Sequence, residues 1–314
     1  MAVVAVSTRS GLVECEYHGH VVVVGPSGRS RLTVGSPERV TYARSANKLF
    51  QASAMLRLGL DLPARLLALA ASSHSGEDFH QRGTLDILAS AHTTPDDLEN
   101  TPGLPYDEQV AHDVLRTGGG PTRLAQNCSG KHAAMVATCV LQRWPVSGYL
   151  DPRHPLQEAI TVELETMSGE RIDHIGVDGC GAPAHALSLA GLALAYGRAR
   201  VGNGFAPTVA AAMIGYPEMV GGTRRDVTAV MRALPGVLVK DGASGVMAAS
   251  LPDGTGIALK ITDGAGPPRV PVLLDVLERL GLDVASARRA SAVPVLGHGR
   301  PVGDVHSVMQ PDFG

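Results

Sequence analysis

The two ends of the chain carry short apolar runs, and the middle carries longer runs with helical spacing. Near the N-terminus, AVVAV, GLVECEY and HVVVVG are rich in β-branched residues and separated by Gly, Ser or His, which is typical of strands. Near the C-terminus, GVLVK (236–240), GVMAASL (245–251) and GIALKITD (256–263) are separated by Asp, Gly and Pro. These turn residues favour an antiparallel meander.

Helical spacing of apolar residues is found in HPLQEAITVELETMSG (154–169), HALSLAGLALAYGRAR (185–200) and VPVLLDVLERLG (270–281). The order is therefore strands, a helical block, strands and a final helix. This order predicts an α+β fold, in which strands from both ends of the chain form one antiparallel sheet packed with the helical block. We expect a single catalytic domain over residues 1–300 and a loose C-terminal tail over 301–314.

The composition points to a small-molecule partner. The net charge is −3 and aromatic residues make up only 4% of the chain, which argues against binding to nucleic acid or to an anionic membrane. The N-terminus lacks the basic region of a signal peptide, and no apolar run approaches the roughly 18 residues that span a bilayer. We therefore expect a cytoplasmic protein, whose four cysteines are thiols or metal ligands rather than disulfides.

A serine and a lysine three residues apart occur in RSANKLFQ (44–51). On a helix, Ser45 and Lys48 would share a face, with Cβ atoms roughly 5–6 Å apart. A lysine that has lost its proton can accept one from a serine hydroxyl. The alternative is a helix N-cap serine followed by a solvated lysine, and spacing alone does not decide between them.

A second polar cluster, SSHSGEDFH (72–80), follows a helical run and contains Ser73. It is either a polar loop that caps the helix or a reactive loop, since reactive groups often lie on loops held by rigid elements. A third candidate is VKDGASG (239–245), where Lys240 ends a strand before a glycine turn. Lys-x-Gly on a strand, downstream of Ser-x-x-Lys on a helix, is the pairing used by penicillin-binding serine enzymes.

Two cysteines lie in glycine-rich turns. Cys128, in QNCSGKHAAM, precedes Lys131 by three residues and stands where a helix begins, so the helix dipole would favour its thiolate. Cys180 lies in GVDGCGAP (176–183). The two thiols either share one soft metal ion or are unrelated and buried. We expect Cys15, on a strand, and Cys139, within a helix, to serve core packing.

Taken in this order, the motifs RSANKLFQ, SSHSGEDFH, NCSGKHAAM, HPLQEAI, GVDGCGAP and KDGASGV resemble the L-asparaginase II family over about residues 10–280. This is the type whose fold is similar to serine β-lactamases and glutaminases, as distinct from the threonine-nucleophile asparaginases. The resemblance implies hydrolysis of L-asparagine to aspartate and ammonia. It also implies two serine–lysine pairs, Ser45 with Lys48 and Ser73 with Lys240.

The resemblance further implies a zinc site and a homodimer. The zinc ligands would be Cys128, Lys131 and Cys180, and the zinc would orient the substrate rather than supply the nucleophile. Arg44 would pair with the α-carboxylate of asparagine, and Asp178 would hold its α-ammonium. In this mechanism Ser45 attacks the amide carbon and Lys48 takes the proton, while Ser73 and Lys240 move protons or polarise the amide.

Asp241 departs from the family pattern, because many relatives have threonine after the strand lysine. A carboxylate beside Lys240 would favour the charged amine and weaken it as a base. Ser244 likewise replaces an acidic residue common at that position. Four other functions stay open: a penicillin-recognising serine hydrolase, a glutaminase, a zinc-binding protein without catalysis, and a threonine asparaginase suggested by the TGGG segment at 117–120.

Overall fold

The computed structural model describes residues 2–313, which divide into two compact units. The first unit comprises residues 2–46, 187–201 and 229–313, and the second comprises 47–186 and 202–228. Each unit is therefore assembled from separate stretches of the chain. No helix among the described residues is both long enough and apolar enough to span a membrane.

The described residues form twelve strands and twelve α-helices. The strands, in chain order, are β1 (Ala2–Arg9), β2 (Leu12–Val24), β3 (Ser30–Val34), β4 (Val40–Tyr42), β5 (His174–Val177), β6 (Pro183–Ser188), β7 (Leu238–Asp241), β8 (Val246–Ser250), β9 (Gly256–Ile261), β10 (Pro294–Gly297), β11 (Arg300–Ser307) and β12 (Asp312–Phe313). The helices, in chain order, are α1 (Lys48–Arg57), α2 (Ala64–Ala70), α3 (Asp78–Ser90), α4 (Glu108–Arg116), α5 (Ser129–Gln142), α6 (Pro155–Ser168), α7 (Leu189–Val201), α8 (Ala206–Gly215), α9 (Pro217–Val220), α10 (Asp226–Ala233), α11 (Arg269–Arg279) and α12 (Ala285–Ala290).

An antiparallel sheet organises the first unit. Nine of the strands between residues 2 and 313 join it, in the order β10-β11-β1-β2-β9-β8-β7, with β3 on β2 and β12 on β3. Successive pairs such as β1 with β11, β2 with β9 and β8 with β9 are antiparallel. This arrangement confirms the predicted α+β fold, in which strands from both ends of the chain feed one sheet.

Helix α7 packs closely on the sheet of the first unit. A Cβ at Gly256 on β9 would lie 1.8 Å from the carbonyl oxygen of Ala193. Only glycine therefore allows the helix and this strand to approach so closely. On the same sheet, the second half of β2 is buried, because its residues pair with β3 on one edge and with β9 on the other.

The second unit is mainly helical, with a short hairpin of β5 and β6. Its helix α5 is buried from Ser129 to Cys139 and packs against α2 and α3. Helix α6 begins after His154, whose ring accepts from the backbone N–H of Leu156, and ends at Gly169 with a φ of 74°. A left-handed glycine is a common end to a helix, since other residues rarely adopt that conformation.

Four local predictions differ from the structure. Cys15, expected to serve core packing, is exposed on the first half of β2. The runs GLVECEY and HVVVVG form one strand, β2, because the Gly between them continues the pairing with β1. The first residues of the helix predicted over 185–200 belong to β6 instead, and the helix starts at Leu189. Residues 301–307, predicted as part of a loose tail, lie in β11, which pairs with both β1 and β10.

Candidate active site

Lysine is rare in this protein and is placed inside it. Four of the 27 basic residues are lysine, and three of these, Lys48, Lys131 and Lys240, are at most 2% exposed. Lysine is seldom fully buried, because a charged amine away from water needs hydrogen-bond partners or opposite charge. All three belong to the predicted site, so the partners of each amine indicate what it can do.

Lys48, the first residue of α1, makes three hydrogen bonds within the second unit. Its Nζ lies 2.5 Å from the carbonyl oxygen of Ser72, 3.0 Å from Oγ of Ser73 and 3.1 Å from Sγ of Cys128. All three neighbours can accept from an ammonium, whereas the neutral amine would donate two protons and keep a lone pair that can accept one. The amine thus connects the serine loop to the thiol at the start of α5.

The resemblance paired Lys48 with Ser45, and this pair stays a prediction; a hydrogen bond from Lys48 to a serine hydroxyl is seen with Ser73. Ser45 lies in the 3-10 turn Arg44–Asn47 that runs directly into α1. It is half-buried, while Ser73 is almost fully buried. The chain passes from the first unit to the second between Ala46 and Asn47, so the two serines belong to different units.

The loop that carries Ser73 is held at several points of its backbone. The N–H of Ser73 donates to the carbonyl of Val220 at 3.0 Å, and the N–H of His74 donates to that of Asn127 at 3.1 Å. The carbonyl of Ser73 accepts from Nη1 of Arg225 at 3.1 Å. These bonds fix the direction in which the Ser73 side chain leaves the loop.

The ring of His74 ties the same loop to the start of α5. Its Nδ1 accepts from the N–H of Gly76 at 3.1 Å, so the proton of a neutral ring is on Nε2, which is 2.9 Å from Oγ of Ser129. The hydroxyl of Thr84 donates to a carbonyl and lies 3.1 Å from the same Ser129 oxygen. Burial lowers the pKa of His74 well below its ordinary value, which is consistent with a neutral ring.

The two loop cysteines meet in the second unit. Cys128 and Cys180 lie in one buried cluster, with Leu150 packed against it. Nζ of Lys131 is 3.3 Å from Sγ of Cys180. A hydrogen bond from Cys180, together with the nearby lysine charges, lowers the pKa of Cys128 well below its ordinary value. The same hydrogen bond and burial raise the pKa of Cys180, so the pair holds one proton between two sulfurs.

These donors suit a soft metal ion. Zinc takes thiolate and nitrogen ligands, and one sulfur of the pair already gives up its proton readily. Lys131 would have to bind as the neutral amine. Burial lowers the pKa of the Lys131 amine, but the charges of the two cysteines and Asp178 have a larger, opposite effect, so the pKa is raised. Among residues 2–313 there is no cluster of three or more His, Cys, Asp or Glu side chains that could hold a metal, so any metal here depends on the lysine.

Asp178 lies in the turn between β5 and β6. Its N–H donates to the carbonyl of Ala182 at 2.9 Å, and its Oδ1 accepts from the N–H of Gly179 at 2.7 Å. The side chain is partly exposed. The turn therefore presents a carboxylate two residues before Cys180, and its contact with the α-ammonium of the substrate stays a prediction.

In the first unit, Lys240 ends β7 and its amine contacts the next residue. Nζ lies 2.6 Å from Oδ1 of Asp241 and 2.8 Å from its carbonyl oxygen. Nη1 of Arg44 donates to Oγ of Ser244 at 3.2 Å. Arg44 and Ser244 have φ angles of 52° and 56°, which are uncommon for residues other than glycine. Such conformations persist where the surrounding structure holds them.

A tyrosine in the same unit anchors the turn that carries Ser45. The hydroxyl of Tyr196, which is fully buried, donates to the carbonyl of Ala46 at 2.7 Å. Burial first, and then the charge of Asp241, raise the pKa of Tyr196 well above its ordinary value. The hydroxyl therefore keeps its proton and remains a donor to this turn.

Sequence reasoning did not identify Arg225 or the cavity near it. A cavity of about 250 Å³ in the second unit is lined by Tyr106, Asn127 and Gly179 among others. The guanidinium of Arg225 lies 4.5 Å from the centre of the Tyr106 ring. Asn127 and Gly179 directly precede Cys128 and Cys180, so the cavity opens beside the thiol pair. A larger cavity of about 500 Å³ in the first unit, between α11 and β11, contains none of the predicted site residues.

A buried lysine bonded to a serine, beside two thiols and a second lysine, defines a site suited to nucleophilic hydrolysis. The sequence profile of the L-asparaginase II family matches residues 5–307, nearly the whole chain. The protein therefore belongs to the L-asparaginase II family, which confirms the resemblance seen in the motifs.

Other comparisons concern the fold. No curated protein sequence matches the chain. Similar solved structures include Mglu in its native form, at 15% identity and a TM-score of 0.46, where the match covers 85% of this chain and 65% of that one. A Bacillus glutaminase has 13% identity and a TM-score of 0.41, with coverage of 79% and 84%. A β-lactamase from Desulfarculus baarsii has 18% identity and a TM-score of 0.39, with coverage of 85% and 93%.

Proposed function

We propose that this protein hydrolyses the side-chain amide of L-asparagine to give L-aspartate and ammonia. Family membership supports the amide substrate. The observation that carries the proposal is the 3.0 Å contact between Nζ of Lys48 and Oγ of Ser73. It places an amine that can move protons against a serine hydroxyl inside a water-poor interior, as a serine–lysine mechanism needs.

We assign the nucleophile to Ser45, which the partial exposure of its side chain favours over the buried Ser73. Ser45 stands three residues before Lys48 in one continuous helical segment. In the first step, Oγ of Ser45 bonds to the amide carbon and its proton passes to neutral Lys48. The carbon–nitrogen bond then breaks, and ammonia leaves with a proton returned by Lys48.

The second step hydrolyses the aspartyl ester on Ser45. Water adds to the ester carbon and gives a proton to Lys48; the ester bond then breaks, Lys48 returns that proton to Oγ of Ser45, and aspartate is released. Ser73, which already bonds to Lys48, relays protons between this amine and the leaving group. Arg44 would bind the α-carboxylate and Asp178 the α-ammonium; these two roles, and the pairing of Ser73 with Lys240, rest on the sequence resemblance.

The donor set formed by Cys128, Lys131 and Cys180 fits zinc, as the closeness of the two sulfurs and the amine indicates. Bound zinc would supply a positive charge that orients the substrate. Purified protein is expected to contain about one zinc ion per chain, and a double replacement of both cysteines by serine should abolish binding. A cobalt-substituted sample gives a second readout, because thiolate coordination produces a charge-transfer absorption band. Zinc removal that leaves the KM for asparagine unchanged would count against the orienting role.

The deciding experiment measures ammonia release from L-asparagine and L-glutamine by the wild type and by Ser45→Ala, Ser73→Ala and Ser72→Ala. The Ser72 variant is the matched control, since its buried hydroxyl has no hydrogen-bond partner among the described residues. We expect asparagine-selective release that is lost in Ser45→Ala and kept in Ser72→Ala. Hydroxylamine should trap the acyl group as aspartate β-hydroxamate.

Each other outcome redirects the assignment. Trapping that survives in Ser45→Ala but not in Ser73→Ala moves the nucleophile to Ser73. Preferential release from glutamine makes the protein a glutaminase, and turnover of nitrocefin without ammonia release favours a penicillin-recognising hydrolase. Zinc-loaded protein that releases no ammonia from either amide contradicts the proposal. The homodimer stays a prediction.

A further inference from the structure

Lys240 is the most deeply buried lysine of the chain, and a carboxylate lies beside it. Its side chain is fully buried, and Nζ is 2.6 Å from Oδ1 of Asp241. A second hydrogen bond, of 2.8 Å, goes to the carbonyl oxygen of the same residue. Charge-assisted hydrogen bonds of this length are among the strong ones in proteins. The pair therefore holds the amine in a fixed position at the end of β7.

The other oxygen of Asp241 faces a second cation. Nη1 of Arg269, on α11, is 3.8 Å from Oδ2 of Asp241, and it donates to the carbonyl of Gly242 at 2.9 Å. The carboxylate thus lies between two positive groups, which favours its ionised form. The turn after β7 is held by these contacts on both sides.

Further ionisable groups lie on the elements packed against this strand and turn. Strand β8 contributes none, because its sequence is VMAAS. Lys260 on β9 donates to the carbonyls of Ser244 and Ile261, at 2.5 and 2.7 Å. Groups that face the turn include Arg44, Tyr196, Lys260 and Arg269, and the carboxylate of Asp263 acts on Lys260. Asp241, by contrast, is the carboxylate within hydrogen-bond distance of Lys240.

We propose that Asp241 keeps Lys240 protonated, so that Lys240 serves the reaction as a fixed positive charge and not as a proton acceptor. Without a partner, burial would drive the lysine towards the neutral amine. With a carboxylate at 2.6 Å, the charged form is retained. The inference rests on the proposed amide hydrolysis, in which a fixed cation can stabilise negative charge on the carbonyl oxygen. Proton acceptance is then left to Lys48.

Asp241→Asn removes the charge of the carboxylate. It distinguishes a fixed-charge role of Lys240 from a role as base, because each role predicts a shift of a different limb of the pH profile. In this variant Lys240 loses its proton at lower pH. If Lys240 is a fixed charge, the alkaline limb of the kcat/KM profile for asparagine moves to lower pH by about one unit or more, and activity at pH 9 falls. If Lys240 is instead the base, the acid limb moves to lower pH and activity near pH 7 rises, which would overturn the proposal.

Two companion variants control for general damage. Asp241→Glu keeps the charge, and is expected to keep more of the alkaline activity than Asp241→Asn. Asp275→Asn removes a carboxylate of the same unit that pairs with Arg279 at 3.0 Å, and should leave the profile in place. A profile shifted equally by Asp275→Asn would show that the effect is not specific to Asp241.

A readout that needs no activity follows from the four lysines of the chain. Protein labelled with 13C-lysine gives four ε-carbon signals, and loss of one signal in Lys240→Met assigns that residue. We expect the Lys240 signal of the wild type to show a charged amine at pH 9, and to titrate at lower pH in Asp241→Asn. A neutral Lys240 at pH 7 in the wild type would disprove the inference. Wild-type protein that releases no ammonia would refute the proposed function, while this titration would still decide the state of Lys240.

Discussion

Alanine at Gly130 is expected to destabilise the protein, although the usual rule for helices predicts the opposite. Gly130 is the second residue of α5, and alanine in a helix is favoured over glycine by about 1 kcal/mol. A Cβ at this position would lie 2.5 Å from Cγ of Leu69 and 2.7 Å from its carbonyl oxygen. The side chain of Leu69 can rotate away, but its carbonyl belongs to the backbone at the end of α2.

The size of the effect follows from these two opposing contributions. Overpacking of a well-packed interior costs about 1–3 kcal/mol, and a backbone clash belongs at the upper end of that range. After the gain in helix propensity, we expect a net loss of about 2 kcal/mol in the free energy of unfolding. Movement of α5 away from α2 would also displace Cys128 from Lys48, so kcat should fall as well.

Gly215→Ala is the matched control. This residue ends α8, and no atom lies within 4 Å of a Cβ placed there, so a gain of about 0.5 kcal/mol is expected. Urea unfolding followed by circular dichroism would compare both variants with the wild type. If Gly130→Ala were as stable as Gly215→Ala, the close contact between α5 and α2 would not exist as described.

Three further predictions concern the second unit. Arg57→Met should lower the free energy of unfolding by about 2 kcal/mol, because it removes an arginine 2.8 Å from the buried carboxylate of Glu163. This loss is smaller than that for breaking a fully buried ion pair, since the arginine is half-exposed. In a urea titration, the double variant with Glu163→Gln should recover part of the loss. Asp107→Asn keeps an N-cap side chain but loses the ion pair with Arg224, whose hydrogen bond lowers the pKa of Asp107. The wild type should therefore exceed this variant in stability by about 0.5–1 kcal/mol above pH 4, and the difference should vanish as the pH falls through the depressed pKa; a difference that persists at pH 2 would contradict the reasoning. His74→Asn should lower kcat roughly 10–100-fold with little change in KM, because the imidazole positions the serine loop without touching substrate; a change confined to KM would refute that role.

Much of the fold follows from patterns that local sequence carries. The strands at 236–263 were predicted because β-branched runs alternate with Asp-Gly turns, and they form β7, β8 and β9. Strand β11 was missed because RPVGDVHS contains proline, glycine and charge and has one buried residue among exposed and half-buried ones. Only its pairing with β1 makes it a strand, and that partner lies at the other end of the chain. Distant pairing leaves no local periodicity to detect.

The candidate residues were predicted from motifs, but their contacts were not. Sequence spacing relates only residues that are neighbours on one helix, and it therefore related Ser45 to Lys48. The bond from Lys48 to Ser73 joins residues 25 positions apart, and depends on how a loop returns to the start of α1. The contact between Lys240 and Asp241 joins adjacent residues, so it could be considered without the fold, and its effect on the charge of Lys240 stays a proposal.

The pairing of β1 with β11 has a consequence for the order in which the protein is made. Ala5 pairs with Ser307, so β1 gains β2 as a neighbour soon after it leaves the ribosome but waits for β11 while about 300 further residues are made. At bacterial or eukaryotic rates of synthesis this delay is roughly 15–60 s. During that time the outer edge of β1 is an exposed template for pairing with other chains. Chaperone capture of the nascent chain should therefore be strongest before residue 300 emerges, and ribosome-bound fragments that end before β11 should aggregate more readily than the full chain.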